Sequence, residues 1–171
     1  MKKTISPKIL FLFLAALFSF FETKSEAATV NYSVFRNESD NVSGREILKF
    51  VNIQRRKKGL TDLQWSNDLE KLARNYSRKM ADGKFFSHYD KNGDSIVQRA
   101  QAMKLKGWRK IGENLFMSDH YDQLNSFAVE KWMQSPLHRQ NILDQSFNTT
   151  GIGIAQSGNG TIYITQVFTQ N

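Results

Sequence analysis

Cysteine is absent from all 171 residues. The protein therefore has no disulfide, no thiolate nucleophile and no cysteine-bound structural zinc, and its fold must be held by its core alone. Long apolar runs are also lacking. The one candidate, Ile9 to Phe21, spans 13 residues, against the roughly 20 that a bilayer core requires. Lys2, Lys3 and Lys8 precede it, and Ser25-Glu26-Ala27 follows with small residues at the first and third positions of a cleavage site. Residues 1–27 thus read as a secretory signal peptide cut after Ala27. No cysteine follows the run to carry a lipid, and no later segment is apolar enough to span a bilayer. The expected destination is the extracellular space, the periplasm or the cell envelope. Repeats and low-complexity runs are missing as well.

What remains after Ala27 has the size of one domain with one sizeable core. The leader carries four of the 24 basic residues and two of the 16 acidic ones, so the net charge falls from +8 to +6 on its removal. That surplus favours an anionic envelope, polysaccharide or membrane surface without setting any specificity. The densest basic cluster, Arg55-Arg-Lys-Lys58, has no interleaved aromatics and reads as a solvated helix end, where positive charge suits the helix dipole. A nucleic-acid partner is not expected.

Residues 28–44 form a polar, extended lead-in, and 45–171 make up the domain. Ser43-Gly-Arg-Glu46 has the pattern of a capping box, with Ile47, Leu48, Phe50, Val51 and Gln54 on the buried face of the helix that follows and Gly59 placed to end it. Ser66 opens a second helix, in which Leu69, Leu72, Ala73, Tyr76 and Met80 follow the three-and-four rhythm of one apolar face up to Gly83. A short helix is expected from Ser95 to about Leu105, and another over 122–135. Pro136 should stop or remake the latter, which leaves His138 just past a helix end. Thr150 to Gln156 and Thr161 to Phe168 are strands joined by a Ser157-Gly-Asn-Gly160 loop. On the first of these Gly151 and Gly153 leave one face bare while Ile152 and Ile154 pack on the other. Helices early and a hairpin late indicate an α+β domain.

Three residues stand beside structural punctuation and apolar anchors, where a rigid scaffold can present them: His88, Glu113 and His138. Two histidines and a carboxylate suit zinc or another divalent ion with a position left open, or proton transfer. No two of them lie at a short ligand spacing, so singly each reads first as a hydrogen-bonded structural residue. Asp90, Asn92 and Asp94 alternate as calcium loops begin, but the twelfth position is Gln101, which excludes that site. His120, in a polar stretch, receives no role. Ser135 is a conceivable nucleophile near His138, though Ser-Pro more simply marks a helix terminus.

The set Val51-Asn-x-x-Arg55 with Gly59-Leu60, Phe86-Ser-His88, Gly112-Glu-Asn114, Trp132-Met-x-Ser-Pro-x-His-Arg-x-Asn-Ile-Leu143 and Gly151-Ile-Gly153 resembles the CAP superfamily. That superfamily includes cysteine-rich secretory proteins, antigen 5, pathogenesis-related 1 proteins and a bacterial branch of secreted SCP-like domains. The resemblance runs from about residue 45 to the end. It implies a three-layer α-β-α sandwich with a central, mostly antiparallel sheet. It also implies a shallow cleft in which His88, Glu113 and His138 converge, and where His88 and His138 would hold zinc or a similar cation. The sequence departs from the animal and plant pattern, in which a second acid follows the helix tryptophan. Met133, Gln134 and Ser135 stand there instead, and Glu130 is the nearest candidate for a fourth member. Missing disulfides agree with the bacterial branch.

The first functional expectation is a secreted, non-enzymatic and monomeric binding module, whose ligand is a divalent ion, a lipid, a cell-wall polymer or a host protein. The alternative is a hydrolase in which a metal- or histidine-activated water attacks an amide or ester, with Glu113 as base. A third is an envelope protein with a vestigial cleft.

Overall fold

A computed structural model describes residues 42–119 and 122–171. The leader, nearly all of the lead-in and His120 lie outside the described residues. Among the described residues, five helices and four strands follow in the order α1 (Gly44–Arg56), β1 (Gln64–Trp65), α2 (Asn67–Gly83), α3 (Ile96–Ala102), β2 (Lys110–Ser118), α4 (Leu124–Gln134), α5 (Pro136–Leu143), β3 (Thr149–Gln156) and β4 (Ile162–Gln170). The sheet order is β1-β3-β4-β2, with β1 parallel to β3 and the other pairs antiparallel. This is the α+β sandwich expected, with a mixed, mostly antiparallel sheet.

The central strand β4 is buried from Ile162 to Thr169, so both its faces are covered. Side chains alternate along a strand. Ile162, Ile164 and Phe168 accordingly enter a core with Ile47 and Val51 of α1, Leu124, Ala128, Val129 and Trp132 of α4, and Ile142 of α5. Tyr163 and Val167 meet the other layer, where α2 contributes Leu69, Leu72, Ala73, Tyr76 and Met80, and α3 contributes Ala100. The bare face of β3 is where α2 comes closest. A Cβ on Gly151 would lie 2.1 Å from the Glu70 backbone nitrogen, and one on Gly153 would lie 1.9 Å from that of Arg74.

Four expectations are corrected. The Ser43 side chain makes no cap hydrogen bond; its amide is bound instead by Asn125 Oδ1 at 2.9 Å, and Glu46 turns to Lys49. The capping box forms on α3, between Ser95 and Gln98. Arg55 is not a solvated helix-end charge but fully buried, while Phe50 is 36% exposed. His138 does not lie beyond a helix end, because the chain starts α5 at Pro136 and places His138 in its first turn. Proline is well suited to that start, since the amide it lacks would have no partner inside the helix.

A candidate site at the edge of the sheet

Strand β2 is an outer strand of the sheet, and the candidate residues gather along it from both helical layers. After α2 the chain reverses at Lys84, which takes a left-handed conformation at φ 52°. Phe85 then packs edge-on against Tyr76, with ring centres 6.3 Å apart. The Tyr76 hydroxyl donates to the Ser87 carbonyl at 2.6 Å, which fixes the residue before His88. Asp90 closes the loop that follows: Oδ1 accepts from the amides of Asn92 at 2.7 Å and Asp94 at 3.0 Å, and Oδ2 accepts from Lys79. The residues that imitate the start of a calcium loop thus fold one another. His88 emerges with half its side chain exposed.

Glu113 lies on β2 opposite Val167 of β4. Its side chain is 2% exposed and points into the α2/α3 layer. Oε1 accepts from His88 Nδ1 at 2.8 Å. Arg99 of α3 supplies the second partner: its Nη2 donates to Glu113 Oε1 at 3.1 Å and lies 2.9 Å from Oε2, a charge contact. The same nitrogen donates to the His88 carbonyl at 3.1 Å. Its guanidinium carbon lies 3.1 Å from the centre of the Tyr76 ring, a cation–π stack. Burial pushes the Tyr76 hydroxyl up to about 12, with Arg99 acting in the opposite sense.

On the other face of β2, Asn114 donates from Nδ2 to the His138 carbonyl at 3.1 Å. Asn141 donates from Nδ2 to Asn114 Oδ1 at 2.9 Å and to the Glu113 carbonyl at 3.2 Å. The last bond occupies an edge-strand acceptor, so α5 is pinned across the rim of the sheet. Gly112 permits the approach, because a Cβ there would sit 2.9 Å from the Phe147 ring. Trp132 anchors α4 to the same strand through its indole, which donates to the Leu115 carbonyl at 2.9 Å.

The two imidazoles therefore face each other across the sheet edge, with ring centres 6.4 Å apart and planes inclined by 46°. His138 is half-buried, and burial lowers its pKa below 6.5, with the neighbouring His88 as a second cause. His88, Glu113 and His138 are thus brought together. Glu130 is not: it lies on the exposed face of α4, accepts from Gln134 at 2.9 Å and lines a groove with Phe50 and Gln54 of α1. Ser135 is the joint between α4 and α5; its amide bonds to the Lys131 and Trp132 carbonyls and its carbonyl takes the Arg139 amide. Arg99 was missed by sequence reasoning. Its separation of 11 residues from His88 carries no local signature, and an arginine on a short capped helix looks like any solvated one.

The donor set fits a divalent ion in one respect. A metal-bound histidine commonly gives its second ring nitrogen to a carboxylate. His88 does so through Nδ1, which leaves Nε2 as its ligand atom. Among the described residues no group of three or more His, Cys, Asp or Glu side chains is placed to hold a metal. An ion would therefore rest on His88 and His138, with Glu113 behind them as orienting partner.

Comparison with known proteins agrees with this architecture. The family model described as the cysteine-rich secretory protein family, CAP, matches residues 48–170. YkwD of Bacillus subtilis is 30% identical over 114 residues, covering 67% of this chain and 43% of that protein. The chain spans less than half the length of the curated relatives it matches. An extracellular protein containing an SCP domain from Bacillus anthracis superposes with a TM-score of 0.65 at 27% identity, over 75% of this chain and 40% of that one. An outer surface protein of Borrelia burgdorferi shares the fold, with a TM-score of 0.65 at 19% identity over 74% and 91%. No helix among the described residues is long and apolar enough to cross a membrane. On sequence and fold together, this cysteine-free chain belongs to the cysteine-rich secretory protein family, CAP.

Proposed function

We propose that the chain is an extracytoplasmic binding domain whose His88–His138 pair takes a divalent cation, zinc first, and through its open positions a small anionic or amphipathic ligand. The observation that carries this reading is the engagement of Glu113. Oε1 accepts from both His88 and Arg99, and Oε2, which has no hydrogen-bond partner among the described residues, is buried against the Arg99 guanidinium and so is out of reach of the open cleft. A general base needs a free carboxylate oxygen within reach of the water it activates. Glu113 instead has the surroundings of an orienting group. Bound there, a cation would supply a Lewis-acidic centre; the chain's own part is to fix His88 by Glu113 and His138 by Asn114. Phe86, Tyr89 and Leu137, exposed at 47%, 62% and 75%, flank the two histidines in sequence and offer an apolar rim.

Isothermal titration of zinc into the purified protein tests this. Stoichiometric binding at micromolar zinc is expected, and His88→Ala/His138→Ala should abolish it with an unchanged circular dichroism spectrum. Absence of binding at that concentration would sink the cation reading. Ester or amide turnover that Glu113→Gln abolishes would show that the site is hydrolytic.

A further inference from the structure

The opposite edge of the sheet carries a second feature, remote from the histidines. Strand β1 covers only the start of β3, pairing Gln64 with Thr149 and Trp65 with Thr150. The Ser66 amide donates to the Thr150 carbonyl at 2.8 Å, after which the chain leaves the edge to begin α2. Thr150 therefore directs its backbone away from β4. In an antiparallel pair residues two apart share that direction, so Ile152 and Ile154 also direct their amides and carbonyls outward. The start of α1 lies against the Ile152 carbonyl, which would be 2.4 Å from a Cβ on Gly44. Among the described residues Ile154 has no such cover. A groove of about 670 Å³ opens there, lined by Trp65, Asn67, Arg45, Arg74 and Arg78 beside Ile152 and Ile154.

Its charge is lopsided. Arg74 is paired with Glu70, but Arg45 and Arg78 have no ion-pair partner among the described residues. Arg45 stacks on Trp65, 4.7 Å from the ring centre, which holds its charge over the groove. An exposed strand edge is a template for another strand. A second copy of this chain is a poor occupant, because it would bring the same arginines together. An acidic strand complements them.

We propose that this groove docks an extended acidic peptide segment of a partner protein, which pairs with the edge of β3 at Ile154 and sets its carboxylates on Arg45 and Arg78. The main chain supplies the pairing at Ile154, and the arginines supply the selection. The binding is independent of the histidine site.

The test uses the purified protein and a fluorescein-labelled peptide of four Val-Glu repeats, read by anisotropy, with the Val-Lys peptide as control. Saturable binding of the acidic peptide alone is expected, about tenfold weaker in Arg45→Glu/Arg78→Glu and unchanged in His88→Ala/His138→Ala. Ile154→Pro removes the outward donor at a position where an edge strand tolerates proline, and should abolish binding. Should that variant fail to fold, hydrogen exchange on the wild type replaces it: the Ile154 amide should slow when peptide is added. No saturable binding overturns the proposal. So does binding that leaves Ile154 exchange unaltered, which marks a plain polyanion patch. Protection of Ile154 before peptide is added also overturns it. Were that protection concentration-dependent, a second copy would be the occupant; otherwise the chain ahead of Val42 would be.

Discussion

Asp90 organises the turn that follows His88. Its carboxylate is covered by the loop it organises, although that loop lies at the edge of the molecule and not in the core. The hydrogen bond from Lys79, followed in effect by the amides of Asp94 and Asn92, holds its pKa down to about 2. Folding therefore favours the ionised form. The stabilisation is present above the ordinary carboxylate pKa of 3.8 and is lost as the pH falls from there through about 2. Urea unfolding midpoints measured at pH 5 and pH 3 should fall with acid in the wild type, and by a smaller amount in Asp90→Asn. An equal fall in both would show that Asp90 does not couple the loop to pH. At this scale the sequence was legible where a residue's neighbours are local. The turn around Asp90 could be placed, whereas Arg99 and Arg55 find their partners across the fold and carry no mark of it in the chain.

Among the elements, the contact of α2 with β3 sets the thickness of one layer. The alternation Gly151-Ile-Gly153-Ile announces a bare strand face, and the structure shows its purpose: helix backbone lies directly on it. Gly153→Ala would place a methyl 1.9 Å from the Arg74 nitrogen and 2.3 Å from the Ala73 carbonyl carbon. Neither atom belongs to a flexible side chain, so helix and sheet must separate. We expect a destabilisation of about 3 kcal/mol, toward the upper end for overpacking, and a drop in Tm of about 10 °C. Gly158→Ala is the control. No atom lies within 4 Å of its Cβ, and its Tm should stay within a degree or two. A similar drop in both variants would mean that the loss does not come from the helix contact, since the restriction alanine places on the unfolded chain acts in the stabilising direction. Helix α5 was harder to read. Pro136 signals an end and a beginning equally well, and the choice is made by Asn114 and Asn141, which bind the new helix to β2.

Across the whole molecule, one buried cation joins segments distant in sequence. Arg55, on α1, donates from Nε to the Thr61 carbonyl at 2.8 Å and from Nη1 to those of Ile142 at 2.8 Å and Asp144 at 2.9 Å. Nη2 reaches the Phe147 carbonyl at 3.1 Å. Burial lowers the pKa of the guanidinium, and the charges of Asp144 and Asp62 act against that shift. These carbonyls close the loop after α1 and carry the chain from α5 to β3, so one side chain holds the α1/α4/α5 layer to the sheet. Arg55→Met keeps much of the apolar stem but leaves those acceptors without their donors inside the protein. A loss of about 3 kcal/mol or more is expected, since hydrogen bonds from a charged group are worth about 1.5–3 kcal/mol each and their loss is only partly relaxed. Arg56→Met is the comparison. Arg56 pairs with Asp62 at 2.5 Å in an exposed setting, where such a bridge contributes at most about 1 kcal/mol. Chemical denaturation of the two variants should therefore separate them clearly, and equal, small losses would mean that Arg55 is not the tie between the layers. Because α5 presents His138, the Arg55 variant should also weaken the zinc binding proposed for the His88–His138 pair at temperatures where it remains folded, which Arg56→Met should not do.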